Sequence, residues 1–221
     1  MIPILINGIL FDLDGVLFDS EPLWEKSVIA TIEYFYNMSP SSDFTQTILA
    51  RSNTEILKSL IQNYSPGYQS LEEEIVKTNE FLEEHFLTNM VSEIKLFPEV
   101  LSILEFLKTQ ELLLAIVTNS PKRIVSKILG DILNLDTYFD SVITIDDVVK
   151  GKPNPEMLVK TLRTLNLLAQ EVIFIGDSLS TDGKASELAN IPFILMDRNQ
   201  SSTKSEINTI FSLEGLLIWI Q

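Results

Sequence analysis

The sequence contains no cysteine. Disulfides, thiolate nucleophiles and zinc–thiolate sites are therefore excluded, and the absence fits a cytosolic protein. Cationic side chains are scarce: 16 Lys and Arg stand against 31 Asp and Glu, a formal net charge of −15. Such a field disfavours nucleic acid or an anionic membrane as the main partner, and any anionic substrate must be held by local cations. No apolar run approaches the roughly 20 residues that span a bilayer. The N-terminal "MIPILINGIL" lacks a basic leader, and Asp12 interrupts it before a cleavage pattern forms. There is no internal repeat and no low-complexity tract. The expectation is a soluble, cytoplasmic chain without nucleic-acid or membrane partners, either a monomer or a weak homodimer.

What is present is ordered. Hydrophobic residues make up 45% and charged residues 21% of the 221, enough for a generous core. Five short apolar segments read as strands: "ILFDL" (9–13), "LLLAIVT" (112–118), "SVITI" (141–145), "EVIFIG" (171–176) and "PFILM" (192–196). Their near-continuous apolar character suits strands covered on both faces, as in a parallel sheet. Helical patterns at 122–133, 155–168 and 181–190 separate the last four, and another at 99–108 precedes the second. Strands alternating with helices predict a doubly wound, Rossmann-like α/β core.

The first interval breaks the rhythm. About ninety residues separate strands one and two, where a crossover needs only a dozen or more. Helical patterns near 21–37, 44–62 and 70–88 fill it, with polar joints such as "NMSPSSD". This predicts an all-helical cap domain over 18–90, inserted into a core of 1–17 and 91–221. Ligands of open α/β sheets bind at the carboxyl ends of the strands, where this insertion begins. A closing cap there would exclude bulk water during chemistry, with joints near 16–20 and 90–98.

Polar residues gather at those same strand ends. Asp12 and Asp14 follow strand one, Thr118-Asn119-Ser120 strand two, Lys150 and Lys152 strand three, and Asp177 and Asp182 strand four. A parallel sheet converges all of them on one crevice. Carboxylates crowded together are tolerable around a hard divalent cation, and Mg²⁺ prefers such oxygen ligands. Asp12 has the chemistry to attack phosphorus and form an aspartyl-phosphate. Asp14, two residues on, shares its face on an extended backbone and suits proton transfer. Gly15 permits a sharp exit of the chain. Singly, each segment also reads as a solvated turn or a helix cap. Together the inventory suits phosphoryl transfer.

"FDLDGVLFDSEP", "AIVTNS", "GKPNPEML" and "FIGDSLSTD" resemble the four motifs of the haloacid dehalogenase superfamily, in the branch with a helical cap after the first motif. The resemblance spans the core from end to end. It implies Asp12 as nucleophile and Asp14 as general acid/base, with Thr118 and Asn119 holding the phosphoryl group. Lys152 would neutralise that group; Lys150 fits the motif position less well. Asp177 would complete a Mg²⁺ site with Asp12 and the backbone carbonyl of Asp14, and Asp182 would orient Lys152 or a metal-bound water.

The founding dehalogenases of this superfamily lack an aspartate at the position of Asp14, so its presence favours phosphate chemistry. "DSEPLW" resembles sugar-phosphate phosphatases and the related beta-phosphoglucomutases. The mutase pattern carries a cap histidine ten residues after the acid/base aspartate; here that residue is Trp24, and the single histidine is His85, read as structural or exposed. A Mg²⁺-dependent phosphatase of a small phosphorylated metabolite, a sugar phosphate, is thus expected. A phosphosugar mutase of the beta-phosphoglucomutase type and a non-catalytic phosphate-binding regulatory protein are the alternatives. In the cap, Ala50 stands where relatives carry a loop glycine, and Arg51 is a candidate substrate-binding residue. Glu21 and Trp24 either line the pocket or serve as helix start and core. An EF-hand fails on spacing, since Leu17 and Leu23 occupy the sixth and twelfth positions counted from Asp12. A receiver-type phospho-switch is disfavoured by Asp14 and by the insertion.

Overall fold

The structure is a computed structural model that describes residues 6–37, 39–40, 58, 71–200 and 208–220. The chain divides into two compact units, Met1–Asp19 with Lys95–Gln221, and Ser20–Ile94. Phe18 stays with the first because it bridges both Asp14 and Leu96.

The first unit is built on a six-stranded sheet whose pairings are all parallel. Its strands are β1 (Gly8–Phe11), β2 (Leu113–Val117), β3 (Ser141–Ile143), β4 (Val172–Gly176), β5 (Phe193–Met196) and β6 (Thr209–Ile210), in the order β3-β2-β1-β4-β5-β6. The doubly wound core expected from the apolar runs is therefore present. Leu10, Ala115 and Phe174 are fully buried neighbours across the three central strands, as strands covered on both faces require. Five strands were expected and the sheet has six. A two-residue edge strand leaves too short an apolar run to read. β3 also stops before the predicted Ile145, because the Asp147 carboxylate accepts from both the N–H and the hydroxyl of Thr144 and starts a turn.

The flanking helices of this unit are α3 (Val100–Thr109), α4 (Lys122–Ser126), α5 (Glu156–Leu165) and α6 (Lys184–Ala189); the second unit holds α1 (Glu21–Tyr36) and α2 (Leu71–His85). α5 shows how the pattern works: Met157, Leu158, Thr161 and Leu165 recur at helical spacing and are buried. They face a core that includes Leu10, Val117 and Phe174. α4 and α6 are shorter than the predicted helices, because wider π turns cover Lys127–Ile132 and Leu179–Gly183. Asparagine does the work of scarce glycine at helix ends. Asn37, Asn166 and Asn190 end α1, α5 and α6 in the left-handed region, at φ of 50°, 54° and 55°.

In the second unit, α1 and α2 pack through Val28, Ile32 and Leu82. Trp24 stacks on Phe86 with ring centroids 4.0 Å apart. His85 stacks on Phe81 and pairs through Nδ1 with the Ser27 hydroxyl at 3.2 Å, a structural role. The predicted helix at 44–62 and the candidate Arg51 lie outside the described residues. Among the described residues, no helix is long and apolar enough to cross a membrane.

Candidate active site

The chain order places β1 and β4 side by side at the point where the sheet reverses its direction of growth. Ligand crevices of open α/β sheets form outside the carboxyl ends of strands at such a point. The Asp12 N–H donates to the Ile175 carbonyl at 2.8 Å, extending the β1–β4 ladder and fixing Asp12 at its end. Thr118 is fixed likewise at the end of β2 by its N–H bond to Ile143, 3.0 Å.

After Asp12 the backbone turns tightly. Leu17 N–H donates to the Leu13 carbonyl at 3.0 Å, and Gly15 N–H to the Phe18 carbonyl at 2.8 Å. Gly15 adopts φ 73°, and a Cβ there would overlap the Asp177 carboxylate. Glycine is thus required both for the turn and for the approach of Asp177.

Lys152 is the hub. Its Nζ lies 2.8 Å from Asp12 Oδ1, 2.7 Å from Asp182 Oδ1 and 2.9 Å from the Val117 carbonyl, and its side chain is 2% exposed. The Asp182 contact is a close, buried ion pair that shares the ammonium with Asp12. Asp182 Oδ2 accepts the Ser178 N–H at 3.1 Å. Gly176 leaves the room: a Cβ there would press on the Asp182 carboxyl at 2.5 Å.

Two findings add to the sequence reading. Asn119, expected to hold a phosphoryl group, spends its side-chain amide on Lys152: Oδ1 accepts the Lys152 N–H at 2.8 Å and Nδ2 donates to the Lys152 carbonyl at 2.9 Å. It fixes the backbone of the lysine loop. Ser120, given no role from sequence, donates its hydroxyl to Asp14 Oδ2 at 3.0 Å. The only sequence signal for that contact was its place in the Thr-Asn-Ser run. Thr118 Oγ1 accepts the Ser120 N–H at 3.1 Å, which leaves its hydroxyl proton for another acceptor.

The electrostatics follow from crowding. Burial, then the neighbouring Asp182 charge, pushes the Asp12 carboxyl well above the usual carboxylate range, with Lys152 pulling the other way. Burial would depress Lys152, but Asp12 and Asp182 outweigh it and hold the ammonium above the usual lysine range. Asp177 is exposed, and its carboxyl lies against Gly15. Desolvation and the charges of Asp182 and Asp14 push it up to about 7.

Carboxylate oxygens of Asp12, Asp177 and Asp182 all lie within 4.8 Å of one another. Asp12 and Asp182 share the Lys152 ammonium directly, and Asp177 lies within its field. The clustered carboxylate donor set and the raised Asp177 fit a hard divalent cation. The Asp14 carboxylate accepts the Ser120 hydroxyl.

A central parallel sheet that ends in paired aspartates, a buried lysine and a further acidic pair defines a hydrolase of the haloacid dehalogenase type. The chain belongs to the haloacid dehalogenase-like hydrolase family, whose sequence profile matches residues 9–196. Phosphoglycolate phosphatase of Yersinia pestis is 28% identical over 189 residues, covering 86% of this chain and 80% of its own. A phosphorylated carbohydrates phosphatase of Thermotoga maritima is 31% identical over 175 residues, covering 79% and 78%. The crystal structure of beta-phosphoglucomutase from Clostridium difficile superposes with a TM-score of 0.78 at 20% identity, over 98% of this chain and 97% of that one. That likeness speaks for the fold alone.

Proposed function

We propose that the chain is a Mg²⁺-dependent phosphatase of a small phosphorylated metabolite, a sugar phosphate, working through an aspartyl-phosphate on Asp12. The observation that carries it is Lys152 bridging Asp12 and Asp182 beside Asp177. An Asp12 oxygen attacks phosphorus while the ester oxygen departs, taking its proton from Asp14. Asp14 then removes a proton from water, which attacks the same phosphorus, breaks the Asp12–phosphorus bond and releases inorganic phosphate. Lys152 and the Thr118 hydroxyl bind phosphoryl oxygens, and the Asn119 backbone amide is a further donor. Asp12, Asp177 and the Asp14 carbonyl would hold Mg²⁺, which supplies charge neutralisation for the transferring group. Arg51 is proposed to contact the substrate from the cap. The names of the two phosphatase relatives support this substrate class. Hydrolysis is preferred over isomerisation because Trp24, which cannot relay a proton, is stacked on Phe86.

The test is phosphate release from a panel of phosphorylated sugars and short acids, with Mg²⁺ and with EDTA, following isomer formation in parallel. Mg²⁺-dependent phosphate release without isomers is expected. Predominant isomerisation, or full activity in EDTA, refutes the reading.

The cation site has a second signature, in stability. Asp12 and Asp177 bind protons more tightly folded than unfolded, so the metal-free fold holds more protons and loses stability as pH rises from about 4 towards 7. Mg²⁺ requires those protons gone, so it stabilises more at high pH. After discounting for the open side of Asp177, we expect the Mg²⁺-induced rise in Tm to be about 2–4 °C larger at pH 7.5 than at pH 5.5. Equal increments at both pH values, by calorimetry, would place the cation elsewhere.

A further inference from the structure

Arg198 follows β5, far along the chain from the first motif, and belongs to none of the four motifs. Its side chain nevertheless ends on the turn that carries Asp14. Nη2 donates to the Val16 carbonyl at 2.6 Å and Nε to the Gly15 carbonyl at 3.3 Å. Nη1 donates to Glu99 Oε1 at 2.8 Å, and the guanidinium carbon lies 3.5 Å from the centroid of the Phe97 ring. Glu99 Oε1 also accepts the Leu213 N–H at 3.2 Å. The side chains of Arg198 and Glu99 are only 16% and 11% exposed, so the ion pair is little screened. Stacking and the Glu99 bond leave the planar fork one orientation, with its remaining donors on two successive carbonyls.

We propose that Arg198 is a positioning residue for proton transfer: by holding the Gly15 and Val16 carbonyls it fixes the turn that aims Asp14 at the leaving oxygen. The proposal rests on the phosphatase reading. Asp14 is flanked on one side by Asp12, locked into the β1–β4 ladder, and on the other by these two carbonyls. Internal bonds of the turn, Gly15 to Phe18 and Leu17 to Leu13, use other groups. The Ser120 hydroxyl holds the carboxylate itself. Arg198 ties the carbonyls directly behind Asp14 to Phe97, Glu99 and Leu213, while the Phe97 N–H anchors the turn further on, at the Leu17 carbonyl, 3.0 Å. A misplacement of about 1 Å in a catalytic group is enough to cost about 100-fold in rate.

The test separates proton donation from general integrity. A simple alkyl phosphate needs a proton on its leaving oxygen, whereas p-nitrophenyl phosphate releases a stable anion without one. kcat/KM reports only the steps up to phosphoryl transfer onto Asp12, so later hydrolysis does not enter. Arg198→Ala is expected to lower kcat/KM for the alkyl ester by about 10–100-fold and for p-nitrophenyl phosphate by less than about threefold. Arg198→Lys, which keeps the charge but loses the fork, should show the same selectivity at smaller size and covers the case in which the alanine variant does not fold. Equal losses on both esters, or no loss on either, overturn the proposal. A wild-type protein that releases phosphate from neither ester would instead refute the phosphatase reading itself.

Discussion

Asp12→Asn is expected to lower phosphate release by about a thousandfold or more while leaving the protein as stable as before, or more so. The amide keeps the shape of the side chain but cannot attack phosphorus, so the covalent route closes. The stability expectation comes from burial. Asp12 sits in a site that disfavours its charged form, through desolvation first and Asp182 second. A neutral amide relieves both effects, and Lys152 retains Asp182 at 2.7 Å as its partner. Steady-state phosphate release and urea denaturation at pH 7.5, run on the same preparation, check the two halves. Undiminished turnover would remove Asp12 from the chemistry; a collapsed fold would show that its charge is structural.

Lys152→Met is expected to be the most damaging single change to stability. The substitution keeps the length of the stem and removes the ammonium, leaving Asp182, which has no exposed surface, and Asp12 facing each other with only mutual repulsion. Breaking a buried ion pair from one side costs about 3–5 kcal/mol. The loss should be largest at neutral pH and shrink as the pH falls, because protonating the stranded carboxyls removes the repulsion. Adding Asp182→Asn to Lys152→Met should then recover part of the stability, since one stranded charge goes with it. Chemical denaturation of the single and double variants between pH 5 and 8 measures all three. A Lys152→Met protein with an unchanged denaturation midpoint would mean that the carboxyls around it are already neutral.

The contrast between these two variants explains what was readable in the sequence. Asp12, Lys152, Asp177 and Asp182 each follow an apolar run or its connecting loop, so the strand pattern alone sends them to one edge of the sheet. Arg198 carries no such mark. It reaches backbone carbonyls 183 and 182 positions earlier, and a carbonyl has no residue type to betray the contact. Ser120 was hidden differently, because Thr-Asn-Ser before a proline reads as a helix cap whatever its hydroxyls do. The motif gave Asn119 to the phosphoryl group without a named atom, and only the fold shows that its side chain holds the loop of Lys152. β6 is two residues long and gave no apolar signal. Directions of side chains along a strand follow from its period; partners among loops follow only from the assembled fold.

Strand order also bears on how this chain is made. β1 is synthesised first but lies at the centre of the sheet, where Leu10 pairs with Ala115 on one side and Phe174 on the other. At about 5–20 residues per second, the first of those partners leaves the ribosome many seconds after β1, and the second later still. Until then "GILF" is an apolar strand with both edges open, the kind of segment that pairs with the wrong neighbour. The turn after Asp12 cannot take its final form before Gly15 meets Asp177 and Arg198, so it is among the last parts to be completed. A net charge far from zero, −15 for the whole sequence, opposes such association between chains.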